Sequence, residues 1–229
     1  MSYTEINMDL GRELQQPNLL TDIEPETEET YRRIQAGTFS ATQLQYLFDR
    51  DKIAEGFLNT RGFERRLARY LEAGVEGVLI AVDVDDFKRF NDNQGHPAGD
   101  LLLARAAKVL LEQTRISQPT AVQLEKRRHR DAKKDLLGRV GGDEFLVFLV
   151  GASLADAEQA SIRIRTNIVR VVRQYFPDYG PDQTMSLGLT PSRLDDDTVQ
   201  TFRQRADQAL YLAKTGKGTE NPEQSIAIL

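Results

Sequence analysis

The chain has no cysteine and only two histidines among its 229 residues. The lack of cysteine is consistent with a reducing compartment, and with so few histidines it leaves oxygen atoms as the expected ligands of any metal. No apolar run is long enough to span a bilayer, and the N-terminus lacks the basic and apolar segments of a signal peptide. We therefore expect a cytoplasmic protein without a membrane span.

The charge is unevenly distributed along the chain. The net charge is −5, which argues against a surface that binds nucleic acid, and 40% hydrophobic residues suffice for a core. Residues 1–30 carry eight acids and one base, whereas residues 115–134 carry seven bases and two acids. We interpret residues 1–50 as an acidic arm, with a short helix from Ser40, and residues 51–229 as one domain with a basic insertion at about 115–134.

Two apolar runs joined by a glycine pair predict a β-hairpin. The runs are residues 136–140 and 145–150, and we expect Gly141 and Gly142 to adopt the positive φ of a tight turn. Asp143 and Glu144 then lie at the tip of the hairpin. Acids are poor strand residues and repel each other, so they indicate a counter-charge nearby. The alternative is an ordinary solvated turn.

The order of the remaining elements predicts an α+β fold of the ferredoxin-like, split βαβ type with an antiparallel sheet. In this fold the first strand lies beside the third and antiparallel to it, so Asp83, at the end of the first strand, should approach Asp143 and Glu144. A helix at 61–71 should add Phe63, Leu67, Tyr70 and Leu71 to the core. The predicted βαββαβ elements are strand 78–84, helix 98–113, strands 136–140 and 145–150, helix 153–175 and strand 183–189.

Three acids gathered at one sheet edge need a cation. At about 4 Å each pair of carboxylates repels by roughly 1 kcal/mol in water and about 4 kcal/mol at an effective dielectric near 20. A divalent cation reverses the sign of this interaction. Oxygen ligands favour Mg²⁺ or Mn²⁺, and such sites usually act on phosphates.

Two motifs resemble those of the diguanylate cyclase (GGDEF) family. One runs from Gly141 to Phe145 (GGDEF) and the other from Asp83 to Asp100 (DVDDFKRFNDNQGHPAGD), and the resemblance covers roughly residues 52–217. It implies a Mg²⁺-dependent nucleotidyltransferase that condenses two GTP into cyclic di-GMP and releases pyrophosphate. Because one domain holds one GTP, it also implies a homodimer that forms at least transiently.

The resemblance assigns roles to individual residues. It implies metal ligands at the carboxylates of Asp83, Asp143 and Glu144 and at the Val84 carbonyl, with Asp143 and Glu144 also catalytic. Which acid accepts the proton stays open. The implied substrate contacts are Phe87, Lys88 and Lys214 to the phosphates and Asn91 and Asp100 to guanine. For Asn91 the alternative is a local turn cap. We interpret Asp85, Asp86 and Asp92 as solvated or capping residues.

The chain departs from the family pattern at several places. Residues 52–59 keep Gly56 and Asn59 of the family run but depart from it at Lys52, Ala54 and Glu55. It is open whether Lys217 contacts phosphate. The Arg-x-x-Asp at which many members bind their product reads Ala132-Lys133-Lys134-Asp135, so we expect weak or absent product inhibition.

The basic insertion has three interpretations: a solvated extension, a docking surface for an acidic partner or for residues 1–30, or a substitute anion site. A regulatory protein could bind there or on residues 1–50. For the whole protein, the alternatives to a diguanylate cyclase are a GTP-binding interaction module without turnover and a cyclase of mixed purine dinucleotides.

Overall fold

The computed structural model describes residues 49, 51, 54, 56–114, 134–177, 179, 184–215 and 225–229. The acidic arm before residue 49, the helix predicted from Ser40, residues 115–133 of the basic insertion and Lys217 lie outside the described residues. No helix in the described part of the chain is both long and apolar enough to cross a membrane.

The described helices and strands follow the predicted order. The helices are α1 (Thr60–Glu72), α2 (Phe87–Gln94), α3 (His96–Glu112), α4 (Leu154–Tyr175) and α5 (Val199–Thr215). The strands are β1 (Leu58–Asn59), β2 (Gly77–Val84), β3 (Leu136–Arg139), β4 (Glu144–Val150), β5 (Met185–Pro191) and β6 (Ile226–Ile228).

One mixed sheet contains these strands in the order β1-β3-β4-β2-β5-β6. β2 is central, antiparallel to β4 on one side and to β5 on the other, and all eight of its residues are buried. β1 and β6 add parallel strands at the two edges. The ferredoxin-like α+β fold is therefore confirmed, including the antiparallel pairing of the first predicted strand with the third.

The two faces of β2 are covered by different helices, because side chains alternate along a strand. Val78, Ile80 and Val82 share a core cluster with residues of α3 and α4. Leu79 and Ala81 lie in a second cluster with residues of α1 and α5. Asp83 continues this second alternation, so it lies on the sheet face that α5 covers.

Helix α1 packs as its apolar spacing predicts. The side chain of Asn59 accepts a hydrogen bond from Gly62 N at 2.9 Å and so caps the helix. Phe63 and Leu67 are buried in the second core cluster, and Tyr70 and Leu71 pack against it. The predicted contribution of this helix to the core is confirmed.

The hairpin turn differs from the expectation at Gly141 and Gly142. Neither has positive φ; among the described glycines that conformation occurs at Gly56, Gly74, Gly95 and Gly151. The turn closes instead through Val140 N and Gly141 N, which donate to Glu144 O at 2.9 and 3.3 Å. This longer turn needs no left-handed residue. Gly141 provides space, since a Cβ there would lie 2.5 Å from Glu144 Oε2.

Candidate active site

The pairing of β2 with β4 brings the acids of the two motifs to one end of the sheet. Asp83 lies opposite Glu144 in the antiparallel register. One residue further, Val84 N donates to Asp143 O at 3.1 Å. Residues about sixty positions apart in the chain are therefore adjacent through backbone pairing alone.

Helix α5 brings a cation to the same place. Lys214, in its last turn, lies with Nζ 2.7 Å from Asp83 Oδ2. Burial raises the pKa of Asp83; the hydrogen bond and charge of Lys214 lower that pKa, whereas the charges of Asp143 and Asp85 raise it. Asp83 is thus a buried carboxylate with one cationic partner and acidic neighbours, which is where an added cation would be stabilised.

Asp83 and Asp143 suit a cation that takes its remaining ligands from groups other than acidic side chains. Among the described residues no three acidic or histidine side chains are close enough together to hold a metal. The Glu144 carboxylate folds back toward Gly141, as the space left by that glycine shows. Mg²⁺ is commonly held by one or two carboxylates plus substrate phosphates. Asp83 and Asp143, together with a backbone carbonyl, match such a donor set.

The chain turns sharply after β2 to begin α2. Asp86 has φ of +51° in the left-handed region, and the helix starts at Phe87. The first N–H groups of a helix have no partner within it and favour anions. Lys88, exposed in this first turn, adds a positive charge. Phe87 and Lys88 thus lie in the first turn of α2; their contact with phosphate stays a prediction.

Helices α2 and α3 enclose a buried polar atom that has no hydrogen-bond partner in the described part of the chain. Asn91 Oδ1 is buried and accepts no hydrogen bond from any described residue, so its oxygen does not cap a turn. Gly99 makes room for it, because a Cβ at Gly99 would lie 1.8 Å from this oxygen. Asp100 follows and is exposed. A buried acceptor beside an exposed carboxylate suits a ligand edge that carries N–H donors, as guanine does.

The expectation that Asp85 is a solvated or capping residue is wrong. It is only 2% exposed, and its carboxylate accepts hydrogen bonds from the hydroxyls of Thr184 and Ser186. These partners lie about one hundred positions away in the sequence, so no local sequence pattern predicts them. Asp86 and Asp92 are exposed, and Asp86 makes no side-chain cap.

Arg139 holds the hairpin turn from its base. Its Nε and Nη2 donate to Gly142 O at 3.2 and 2.6 Å, and its Nη1 lies 3.4 Å from Asp51 Oδ1. Asp51 in turn accepts from Ala54 N at 2.7 Å. The segment before β1 is thus tied to the carbonyl of the residue that precedes Asp143. Sequence reasoning gave Arg139 no role.

The Asp135 carboxylate forms a hydrogen bond within the fold. It is 3% exposed, and its Oδ1 accepts a hydrogen bond from Val150 N at 2.9 Å, across the base of the β3–β4 hairpin. The carboxylate therefore anchors a strand end. It does not present itself to solvent, where a dinucleotide would meet it.

Comparison with known proteins finds relatives in one protein family. A family model described as "Diguanylate cyclase, GGDEF domain" matches residues 51–220. Diguanylate cyclase DgcP of Pseudomonas aeruginosa is 34% identical over 151 residues, 66% of this chain and 20% of that protein. Diguanylate cyclase A of Treponema denticola is 30% identical over 136 residues, 59% of this chain and 32% of that protein. The chain thus spans about a fifth to a third of the length of these relatives.

Solved structures show the same architecture. The coiled coil and GGDEF domain of DgcB from Caulobacter crescentus, in complex with c-di-GMP, aligns with a TM-score of 0.65 over 88% of this chain and 94% of that chain. Its sequence identity is 20%, so it supports the fold alone. Diguanylate cyclase SiaD of Pseudomonas aeruginosa, in complex with its activator SiaC, aligns with a TM-score of 0.58 at 30% identity, over 82% of this chain and 66% of that chain.

Proposed function

Because this chain belongs to the diguanylate cyclase (GGDEF domain) family, we propose that it condenses two GTP molecules into cyclic di-GMP and releases two pyrophosphates. The observation that carries the proposal is the meeting of Asp83, Asp143 and Lys214 at one end of the sheet. Phosphoryl transfer requires acids that would hold a divalent cation and a positively charged side chain that would bind phosphate.

Asp83 and Asp143 would hold Mg²⁺ or Mn²⁺, with the Val84 carbonyl and nucleotide phosphates completing the coordination. A bound cation lowers the pKa of the attacking 3′-hydroxyl and offsets charge on the α-phosphate. Glu144 lies opposite Asp83 in the register and is exposed. In this proposal the Glu144 carboxylate moves away from Gly141 toward the site. There it acts as a further ligand or as the acceptor of the hydroxyl proton.

The remaining residues position the nucleotide. In this proposal the amide Oδ1 of Asn91 and the carboxylate of Asp100 accept from guanine N1–H and N2–H₂, which adenine does not offer as a pair. Lys88, the first amides of α2 and Lys214 bind the triphosphate. Lys214 would exchange its contact with Asp83 for phosphate oxygens when the nucleotide arrives.

Each protomer would supply one GTP, so the reaction needs two copies of the domain face to face. The 3′-hydroxyl of each nucleotide then attacks the α-phosphate of the other. We propose a homodimer that forms at least transiently, acting where GTP is available in the cytoplasm. SiaD, a structural relative, is solved with an activator protein. A comparable partner here would bind residues 1–50 or the basic insertion.

We further propose that ordinary product inhibition is weak. Alanine stands at position 132, where the inhibitory motif has arginine, and Asp135 is bound to Val150 N. A titration of cyclic di-GMP into the assay should leave the initial rate unchanged. Strong inhibition that disappears in Asp135→Asn would contradict this.

The test of the main proposal is direct. Purified protein incubated with GTP and Mg²⁺ should yield cyclic di-GMP on chromatography, and Asp143→Asn should abolish the product. GTP binding without product would support an interaction module. A mixed dinucleotide formed on adding ATP would indicate a broader purine specificity, against the role given to Asp100.

A further inference from the structure

A group of buried and half-buried polar side chains lies where β2 ends and β5 begins. We call Asp85, Arg165, Thr184 and Ser186 the strand-end cluster. Ser186 Oγ donates to Asp85 Oδ1 at 2.8 Å, and Thr184 Oγ1 donates to Asp85 Oδ2. The backbone N–H of Asp85 donates to Thr184 O at 2.9 Å. Asp85 is therefore fixed by its side chain and by its backbone.

Arg165 contributes a buried opposite charge from α4. It is 8% exposed, and its Nε donates to Met185 O at 2.9 Å. Burial lowers the pKa of Arg165, while the charge of Asp85 raises it. Its Nη1 is buried without a hydrogen-bond partner among the described residues. Burying ions costs several kcal/mol each, so the pair is not explained by fold stability alone.

The register links this cluster to the candidate metal ligands. Asp83 lies opposite Ser186, and Val84 lies opposite Met185, whose carbonyl binds Arg165. Both residues of β2 that would contact the cation are thus paired with β5 residues that the cluster holds. A shift of Asp85 would move the Asp83 carboxylate and the Val84 carbonyl together.

We propose that the strand-end cluster positions Asp83 and Val84 for the divalent cation. Asp85 acts through these two residues, as a positioning residue that also adds negative charge behind the site. Groups behind metal ligands typically change metal affinity by about 10- to 100-fold when they are removed. This inference rests on the proposed function, because it assumes that a cation binds at Asp83.

A matched pair of substitutions at Thr184 tests the proposal. Thr184→Val keeps the shape but removes the hydroxyl that binds Asp85, whereas Thr184→Ser keeps the hydroxyl. Mn²⁺ affinity is measured by electron paramagnetic resonance of the free ion, with GTP carrying a methylene group between the α- and β-phosphorus atoms. We expect affinity about tenfold weaker for Thr184→Val and close to wild type for Thr184→Ser.

A control on the same strand separates positioning from stability. Thr190 Oγ1 accepts from Arg205 Nε at 3.1 Å at the other end of β5, so Thr190→Val likewise removes a hydroxyl that forms a hydrogen bond. It should lower the melting temperature at least as much as Thr184→Val but leave Mn²⁺ affinity unchanged. In turnover, Thr184→Val should raise the Mg²⁺ concentration for half-maximal rate while the KM for GTP at saturating Mg²⁺ changes little.

The outcomes distinguish this inference from the proposed function. Equal Mn²⁺ affinity in Thr184→Val and Thr184→Ser, or an equal loss in Thr190→Val, overturns the positioning role even if the protein makes cyclic di-GMP. If the wild type binds Mn²⁺ with the analogue but makes no product, the cyclase assignment fails. The affinity series then still decides what the cluster does.

Discussion

Lys214 Nζ lies 2.7 Å from Asp83 Oδ2, so a cation from the end of α5 faces a carboxylate at the end of β2. The two residues are far apart in the sequence and meet only in the folded domain. Because Lys214 is one of the groups that lower the pKa of Asp83 against the effect of burial, it favours the charged form of this candidate metal ligand.

Lys214→Met should weaken GTP binding and change the pH profile. Loss of a charge-assisted contact, worth about 1.5–3 kcal/mol, should raise the KM for GTP by about tenfold or more. Without the ammonium the pKa of Asp83 rises further, so the acidic limb of the pH–rate profile should move to higher pH. GTP saturation curves across pH check both effects, because the pH dependence of kcat/KM reports the free enzyme, in which Lys214 contacts Asp83. Lys108→Met, an exposed lysine on α3, should leave both quantities unchanged.

Asp83→Asn should stabilise the protein in the absence of metal while abolishing turnover. Because the pKa of Asp83 is raised in the folded state, the folded state binds its proton more tightly than the unfolded state, and stability falls as pH rises through the raised pKa. Asparagine removes the buried charge, so its advantage in the free energy of unfolding should be present at neutral pH and shrink as pH falls.

Urea unfolding from neutral to acidic pH measures this difference. Asp86→Asn is the control, because Asp86 is exposed and asparagine tolerates its left-handed φ. Mn²⁺ with a non-cyclisable GTP analogue should stabilise the wild type but not Asp83→Asn. A variant that is less stable than the wild type at neutral pH would show that the Lys214 contact outweighs the desolvation of Asp83.

Much of this architecture could be predicted because its signals are local. The unbroken apolar run of β2 predicts a strand buried on both faces, and the apolar spacing of α1 predicts its buried side. The observed starts of α3 and β5 differ from the predicted ones. The positive φ of Gly95 lets α3 begin at His96, two residues before the predicted start. β5 begins at Met185, and Thr184 just before it binds Asp85 through its hydroxyl and its carbonyl.

What could not be predicted depends on contacts between distant segments. Asp85 has the same residue type and nearly the same position as Asp86, yet one is buried and the other exposed. The difference arises because the pairing of β2 with β5 brings two hydroxyls to Asp85 alone. In the same way, Arg139 acquires its role only when the hairpin turn and the segment at Asp51 are folded against it.

Gly99→Ala should impair guanine recognition without unfolding the protein. An added Cβ would lie 1.8 Å from Asn91 Oδ1 and 2.8 Å from its Cγ. The Asn91 side chain must then rotate away from its present position. We expect the KM for GTP to rise about tenfold or more, since a lost specific contact to a base is worth about 1–3 kcal/mol.

Binding of the GTP analogue by calorimetry, together with steady-state rates, measures that loss. Asn91→Ala should show a similar increase, and the double variant should be no worse than either single one, because both act on the same amide. Gln94→Ala, exposed on the same helix, serves as the control. Additive losses would mean that Gly99 acts on something other than Asn91.

Arg139→Lys should slow turnover more than it weakens GTP binding. Lysine keeps the charge near Asp51 but cannot reproduce the two donations from one guanidinium to Gly142 O. The backbone before Asp143 is then less firmly held, so we expect kcat to fall by about tenfold and stability by about 1 kcal/mol. Steady-state kinetics and urea unfolding measure the two effects. Arg170→Lys, exposed on α4, should change neither; an Arg139→Lys enzyme with full kcat would show that the turn keeps its geometry without the clamp.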